Sequence, residues 1–229
     1  MKRPFTSSSI LVCLSILVFA SVAVAAPVSW TDWTSAIVGN SGSAQGTLTI
    51  GPTTVDVSYS GAISFAQTSG GTNYWNPSAP YISATVENAP PASDIIALNI
   101  GTGATPATIT FSQAVQDPLL ALVSWNGNTV DFGVPIEILS YGAGYWGNGT
   151  PVLNAAGTGF FGSGEVHGVI ELPGSYTSIS FTHTSENWHG FTVGALGPGG
   201  PIGVPEPATM LLIGAGLIGL AGFGRKKLR

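Results

Sequence analysis

Thr54-Val55-Asp56-Val57-Ser58-Tyr59-Ser60 alternates apolar and polar side chains one by one. Val55, Val57 and Tyr59 fall on one side, and Asp56, Ser58 and Ser60 on the other. Successive side chains of a strand point to opposite faces, so this period of two describes a strand with one face in a core and one in water. Similar runs recur on both sides of it, separated by turn residues. Thr47 to Ile50, Thr54 to Phe65 and Tyr81 to Glu87 form a first group. Asp94 to Ile100, Ala107 to Phe111, Leu119 to Trp125 and Pro135 to Tyr141 follow. Glu165 to Leu172, Tyr176 to His183 and Gly190 to Ala195 close the series. Asn126-Gly127 and Pro173-Gly174 supply the residue types that tight turns require. No stretch between residues 27 and 200 shows capped helical periodicity, and no internal repeat marks a propeller or solenoid. The expected fold is all-β: an antiparallel β-sandwich, jelly-roll-like.

Composition agrees with a folded β domain. The chain has 229 residues, of which 44% are hydrophobic and only 7% charged. β-branched and aromatic side chains with Thr, Ser and Gly favour sheets. The distribution of charge is more informative than the net value of −5. All six basic residues lie at the ends: Lys2, Arg3, Arg225, Lys226, Lys227 and Arg229. Between Pro4 and Gly224 there are eleven acidic residues and no Lys or Arg. A domain with no basic side chain offers nothing to a phosphate backbone, which excludes nucleic-acid binding. Cys13 is the single cysteine, so the remaining chain has no disulfide and no thiolate site.

Both ends read as export signals. Lys2 and Arg3 precede an apolar run from Ile10 to Ala20, and Ala23-Val24-Ala25 supplies the small residues a signal peptidase requires. Residues 1–25 are therefore expected to be a signal peptide cut after Ala25, with the β domain at 26–195 and a Gly/Pro linker at 196–203. At the other end stand Val204-Pro205-Glu206-Pro207, an uncharged run from Ala208 to Phe223, and the basic group Arg225, Lys226, Lys227 and Arg229. Residues 208–223 would span about 24 Å as a helix, slightly short of a bilayer core of about 30 Å. Snorkelling of Arg225 and Lys226 closes that gap. The basic cluster holds this end in the cytoplasm, so the domain faces away from it.

The order of Pro-Glu-Pro motif, Gly-rich apolar helix and basic tail over 204–229 resembles the PEP-CTERM sorting signal. Proteins of that family belong to Gram-negative bacteria that carry an exosortase, often beside exopolysaccharide genes. Tails of this kind are also classed as an ice-binding protein C-terminal domain, although the domain here shows no regular threonine array. The resemblance implies that an exosortase-like membrane enzyme recognises Val204, Pro205, Glu206 and Pro207. Two prolines fit that role by holding an extended segment rigid at the membrane surface. Ser180 to Val193 is loosely similar to the closing strands of other ectodomains with this signal.

Two loops stand out within the domain. Gly70 to Pro80 and Tyr141 to Pro151 each set a Tyr-Trp pair, Tyr74-Trp75 and Tyr145-Trp146, among Gly, Asn and Pro. Such rings either stack on the apolar faces of sugars or fold back over the ends of the sandwich. His183, Glu186 and His189 form the densest polar cluster and are candidate metal ligands, with Glu165 and His167 able to join from a neighbouring strand. Their spacing differs from a helical His-Glu-x-x-His motif, and solvated or core-edge histidines are the alternative. Calcium is conceivable for an acidic exported domain, yet no Asp-x-Asp run marks a loop. No nucleophile elbow, paired carboxylates or phosphate loop is evident. The expected role is a non-enzymatic structural or adhesive surface protein associated with extracellular polysaccharide. A metal-dependent hydrolase and a plain membrane-anchored periplasmic protein are the alternatives.

Overall fold

The computed structural model describes residues 27–98, 106–184 and 186–197. The expected signal peptide 1–25 with Ala23 and Ala25, the sorting motif and the basic tail lie outside these residues. So does the expected spanning segment 208–223. Among the described residues, no helix is long and apolar enough to cross a membrane.

Fifteen strands are formed by the described residues, joined by one short 3-10 turn at Ala79–Tyr81. In chain order they are β1 (Val28–Trp30), β2 (Asp32–Ile37), β3 (Gly39–Ile50), β4 (Thr53–Ile63) and β5 (Phe65–Gln67). Next come β6 (Ile95–Leu98), β7 (Ala107–Gln116), β8 (Leu119–Trp125), β9 (Thr129–Asp131) and β10 (Glu137–Tyr141). The last are β11 (Gly149–Leu153), β12 (Gly159–Gly164), β13 (Val166–Glu171), β14 (Ser175–His183) and β15 (His189–Leu196). They build two antiparallel sheets packed as a sandwich. One sheet runs β10-β13-β8-β15-β6-β5, with β1 also on β15; the other runs β11-β12-β9-β14-β7-β4-β3-β2.

The alternation in β4 does what its pattern demands. Val55, Val57 and Tyr59 are buried against the opposite sheet, where the Tyr59 ring meets Phe191 at 5.4 Å. Gly51, at φ +57°, turns β3 into β4. The core between the sheets includes Trp33, Leu48, Leu122, Trp125, Phe160, Phe181 and Phe191. Its two indoles find partners, as most buried N–H groups do. Trp33 Nε1 donates to Thr192 Oγ1 at 3.0 Å and Trp125 Nε1 to the Gly190 carbonyl at 2.9 Å.

β8 is buried along its whole length, not alternately. Leu120 and Leu122 face the core between the sheets, while Leu119, Ala121 and Val123 face a second cluster on the outer side. That outer side is covered by the long connection between β5 and β6, which contributes Trp75, Tyr81 and Val86. The strand expected at Tyr81 to Glu87 belongs to this cover. It is irregular because Ser83 Oγ accepts the backbone N–H groups of Thr85 and Val86, each at 3.1 Å, and so competes with a strand ladder. The other expected strands form, Asp94 to Ile100 being described only as far as Leu98.

Candidate functional site

The site starts from an irregularity in β8. Trp125 pairs with Val166 and Leu122 with Gly168, so two residues of β8, Val123 and Ser124, oppose His167 alone. This is a β-bulge, and Ser124 carries it at φ +56°. The extra residue reverses the alternation. Trp125 turns into the core and Ser124 turns to the end of the sheet, where its hydroxyl donates to Glu165 Oε2 at 2.6 Å. Asn126, the next residue but one, donates from Nδ2 to Glu165 Oε1 at 2.7 Å. Each carboxylate oxygen therefore has one donor and keeps room for another.

β8 lies between β13 and β15 and runs antiparallel to both. The end of β8 is thus beside the start of each neighbour, and the connection leading into β15 closes over the same place. Ser124, Asn126, Glu165, Trp146, Glu186, Asn187 and Trp188 together line a cleft of about 220 Å³. Burial pushes the Glu186 carboxyl up from its ordinary range and the Glu165 charge adds to this, while the backbone groups of Asn187 and Trp188 hold it down.

The wall of the cleft continues as a chain of aromatic rings. Trp146 lies 6.5 Å from Trp188 and 5.0 Å from Tyr145, both edge to face. Tyr74 packs at 5.1 Å on both Tyr145 and Trp188, and Phe65 backs Trp188 at 5.0 Å. Trp146 is 54% exposed and Tyr145 41%. Three separate loops meet here, so the two Tyr-Trp loops do converge.

Trp75 does not take part. It is only 1% exposed and packs edge to face on Tyr81 at 5.2 Å, under the cover of the outer cluster. Of the two readings open for this ring, Trp75 takes the one in which it folds back as cover, and it is not available to stack on a sugar. Alternation along the loop sends Tyr74 to the surface and its neighbour inward.

The histidines are brought together behind the cleft, not inside it. His183 Nδ1 and His189 Nε2 lie 3.0 Å apart, and the His189 ring packs on Trp125 at 4.2 Å. Both rings are buried, and burial holds both pKa values below the ordinary 6.5. Glu186 does not join them but lines the cleft beside Glu165. His167 is also separate: its Nδ1 meets the Tyr81 hydroxyl at 3.2 Å, and burial lowers its pKa to about 4 against the pull of Glu165. Among the described residues, no group of three or more His, Asp or Glu side chains is placed to hold a metal ion.

Ser124, Asn126 and Trp188 were not singled out by the sequence reading. A bulge has no periodic signature, and Trp188 falls in the connection between two expected strands, Tyr176 to His183 and Gly190 to Ala195. Glu165 was noted, but beside the wrong partner.

Comparison with protein families places a PEP-CTERM protein-sorting motif at residues 203–226. The chain thus carries the PEP-CTERM sorting tail that its sequence led us to expect. The motif marks an exported protein processed by an exosortase, a membrane enzyme of Gram-negative bacteria. Neither the curated proteins nor the solved structures give a match to the chain.

Proposed function

We propose that this is a non-catalytic surface protein whose β-sandwich binds extracellular polysaccharide in the cleft between Trp146, Trp188 and Glu165. The observation that carries this reading is the ring wall of Tyr74, Tyr145, Trp146 and Trp188 set against the hydrogen-bonded Glu165. Sugar rings present apolar C–H faces with polar rims. Aromatic walls with a few fixed polar groups match both features. Glu165 accepts from hydroxyl groups, and Asn126 and Asn187 both accept and donate. Export and sorting bring such a domain to the place where these polymers are. The reading needs no metal or cofactor.

The test is retention of the exported protein on exopolysaccharide from its own host. Retention that is lost in Trp146→Ala and Trp188→Ala, with folding preserved, is the expected result. Absence of retention by the native protein on every host polysaccharide overturns the reading.

A further inference from the structure

Everything fixed at the cleft that carries charge is negative. Glu165 and Glu186 line the same cleft, and no Lys or Arg occurs between Pro4 and Gly224 to balance them. The three imidazoles cannot do so. His183 and His189 are buried and engaged with each other, and His167 is buried against Tyr81. Like charges held together in a partly enclosed site repel, and a mobile cation entering between them is attracted by both. The walls point the same way, because the faces of Trp146 and Trp188 carry the negative side of the indole quadrupole and attract cations. Glu165 is already oriented by Ser124 and Asn126, so its remaining acceptor positions are fixed before a ligand arrives.

We propose that the polysaccharide recognised in this cleft carries free ammonium groups, that is, amino sugars without N-acetylation. The ammonium sits between Glu165 and Glu186 while the sugar ring lies on Trp146 or Trp188. The proposal rests on the glycan-binding reading and narrows it. An acidic glycan, bearing uronate or sulfate, meets only repulsion here. A fully N-acetylated one keeps the stacking and forfeits the charge-assisted hydrogen bonds.

The experiment titrates the exported protein with a glucosamine hexamer and with the N-acetylglucosamine hexamer at neutral pH, in low and in 0.5 M salt. The glucosamine hexamer is expected to bind about tenfold more tightly, as one or two charge-assisted contacts in a partly enclosed site imply, and salt narrows the gap. Glu165→Gln and Glu186→Gln each weaken the glucosamine hexamer more than the acetylated one, so that the gap between the two closes. Equal affinities for the two hexamers, unchanged in both Gln variants, overturn the ammonium assignment and leave the glycan reading standing. No binding of either hexamer, with retention on another host polysaccharide intact, overturns it too. Ammonium-bearing small molecules without a sugar ring, such as choline, binding as tightly as the hexamer would also contradict it.

Discussion

His183 Nδ1 and His189 Nε2 face each other at 3.0 Å across the base of the connection that carries Glu186, Asn187 and Trp188. One ring donates and the other accepts, so the contact holds only while at least one imidazole is neutral. The wall of the cleft is thus tied to the core through Trp125, on which His189 packs.

This arrangement makes the domain acid-sensitive. Burial keeps His183 and His189 below the ordinary 6.5 and takes His167 down to about 4, so between those limits the unfolded chain binds more protons than the folded one. Stability is full above about pH 6.5 and falls as pH drops toward 4. Glu171, raised to about 6 by burial and by Asp117 and Glu137, works in the opposite sense between 6 and 4.5, as do Asp94 and Glu186, which burial also raises. Thermal unfolding against pH is expected to show the decline, steeper in Glu171→Gln. His189→Leu, which leaves His183 without its partner, is expected to cost about 1–3 kcal/mol at pH 7.5.

Trp75 and Trp146, so alike in sequence context, are expected to behave in opposite ways. Trp75→Ala opens a cavity under the cover of the seven-stranded sheet and is expected to cost about 3–5 kcal/mol in denaturant unfolding. Trp146→Ala removes an exposed ring and stays within about 0.5 kcal/mol of the native protein. Polysaccharide retention separates them again, since it is lost only in the second where both are folded.

Gly144 sets the position of the Trp146 loop. Its amide donates to the Gly147 carbonyl at 2.7 Å, and its Cα rests so close to the His167 ring that a Cβ would overlap it. Gly144→Ala is expected to push the loop off the sheet and weaken glycan binding several-fold, with a smaller effect on unfolding than Trp75→Ala. A titration of the folded variant checks this.

The sorting tail predicts a processing defect. Glu206→Ala is expected to leave full-tailed protein in the membrane fraction, whereas the native chain is expected to lose its tail near Pro205. Intact masses of membrane and released material distinguish the two.

Sheets were legible in this sequence because one-sided burial writes itself as alternation, as in Val55-Asp56-Val57-Ser58-Tyr59. β8 was legible for another reason: its unbroken apolar run records burial on both faces, although what covers the outer face was not evident. The short strands β1, β9, β11 and β12 were not, being Gly-rich or only a few residues long. In the site, the paired aromatic loops announced themselves by composition. The exchange of Trp75 for Trp188 depends on which way a loop residue turns, and the Ser124 bulge depends on pairing with a strand some forty residues away. Neither leaves a local trace.

The most direct measurement of the central claim uses the six tryptophans, of which Trp30, Trp33, Trp75 and Trp125 are buried and Trp146 and Trp188 stand at the cleft. Indole N–H resonances assigned by single substitutions are followed by NMR while glucosamine hexamer is added. Saturable shifts at Trp146 and Trp188, with the four buried indoles unmoved, are the predicted result. Shifts confined to other positions, or none at any hexamer concentration, would contradict the account.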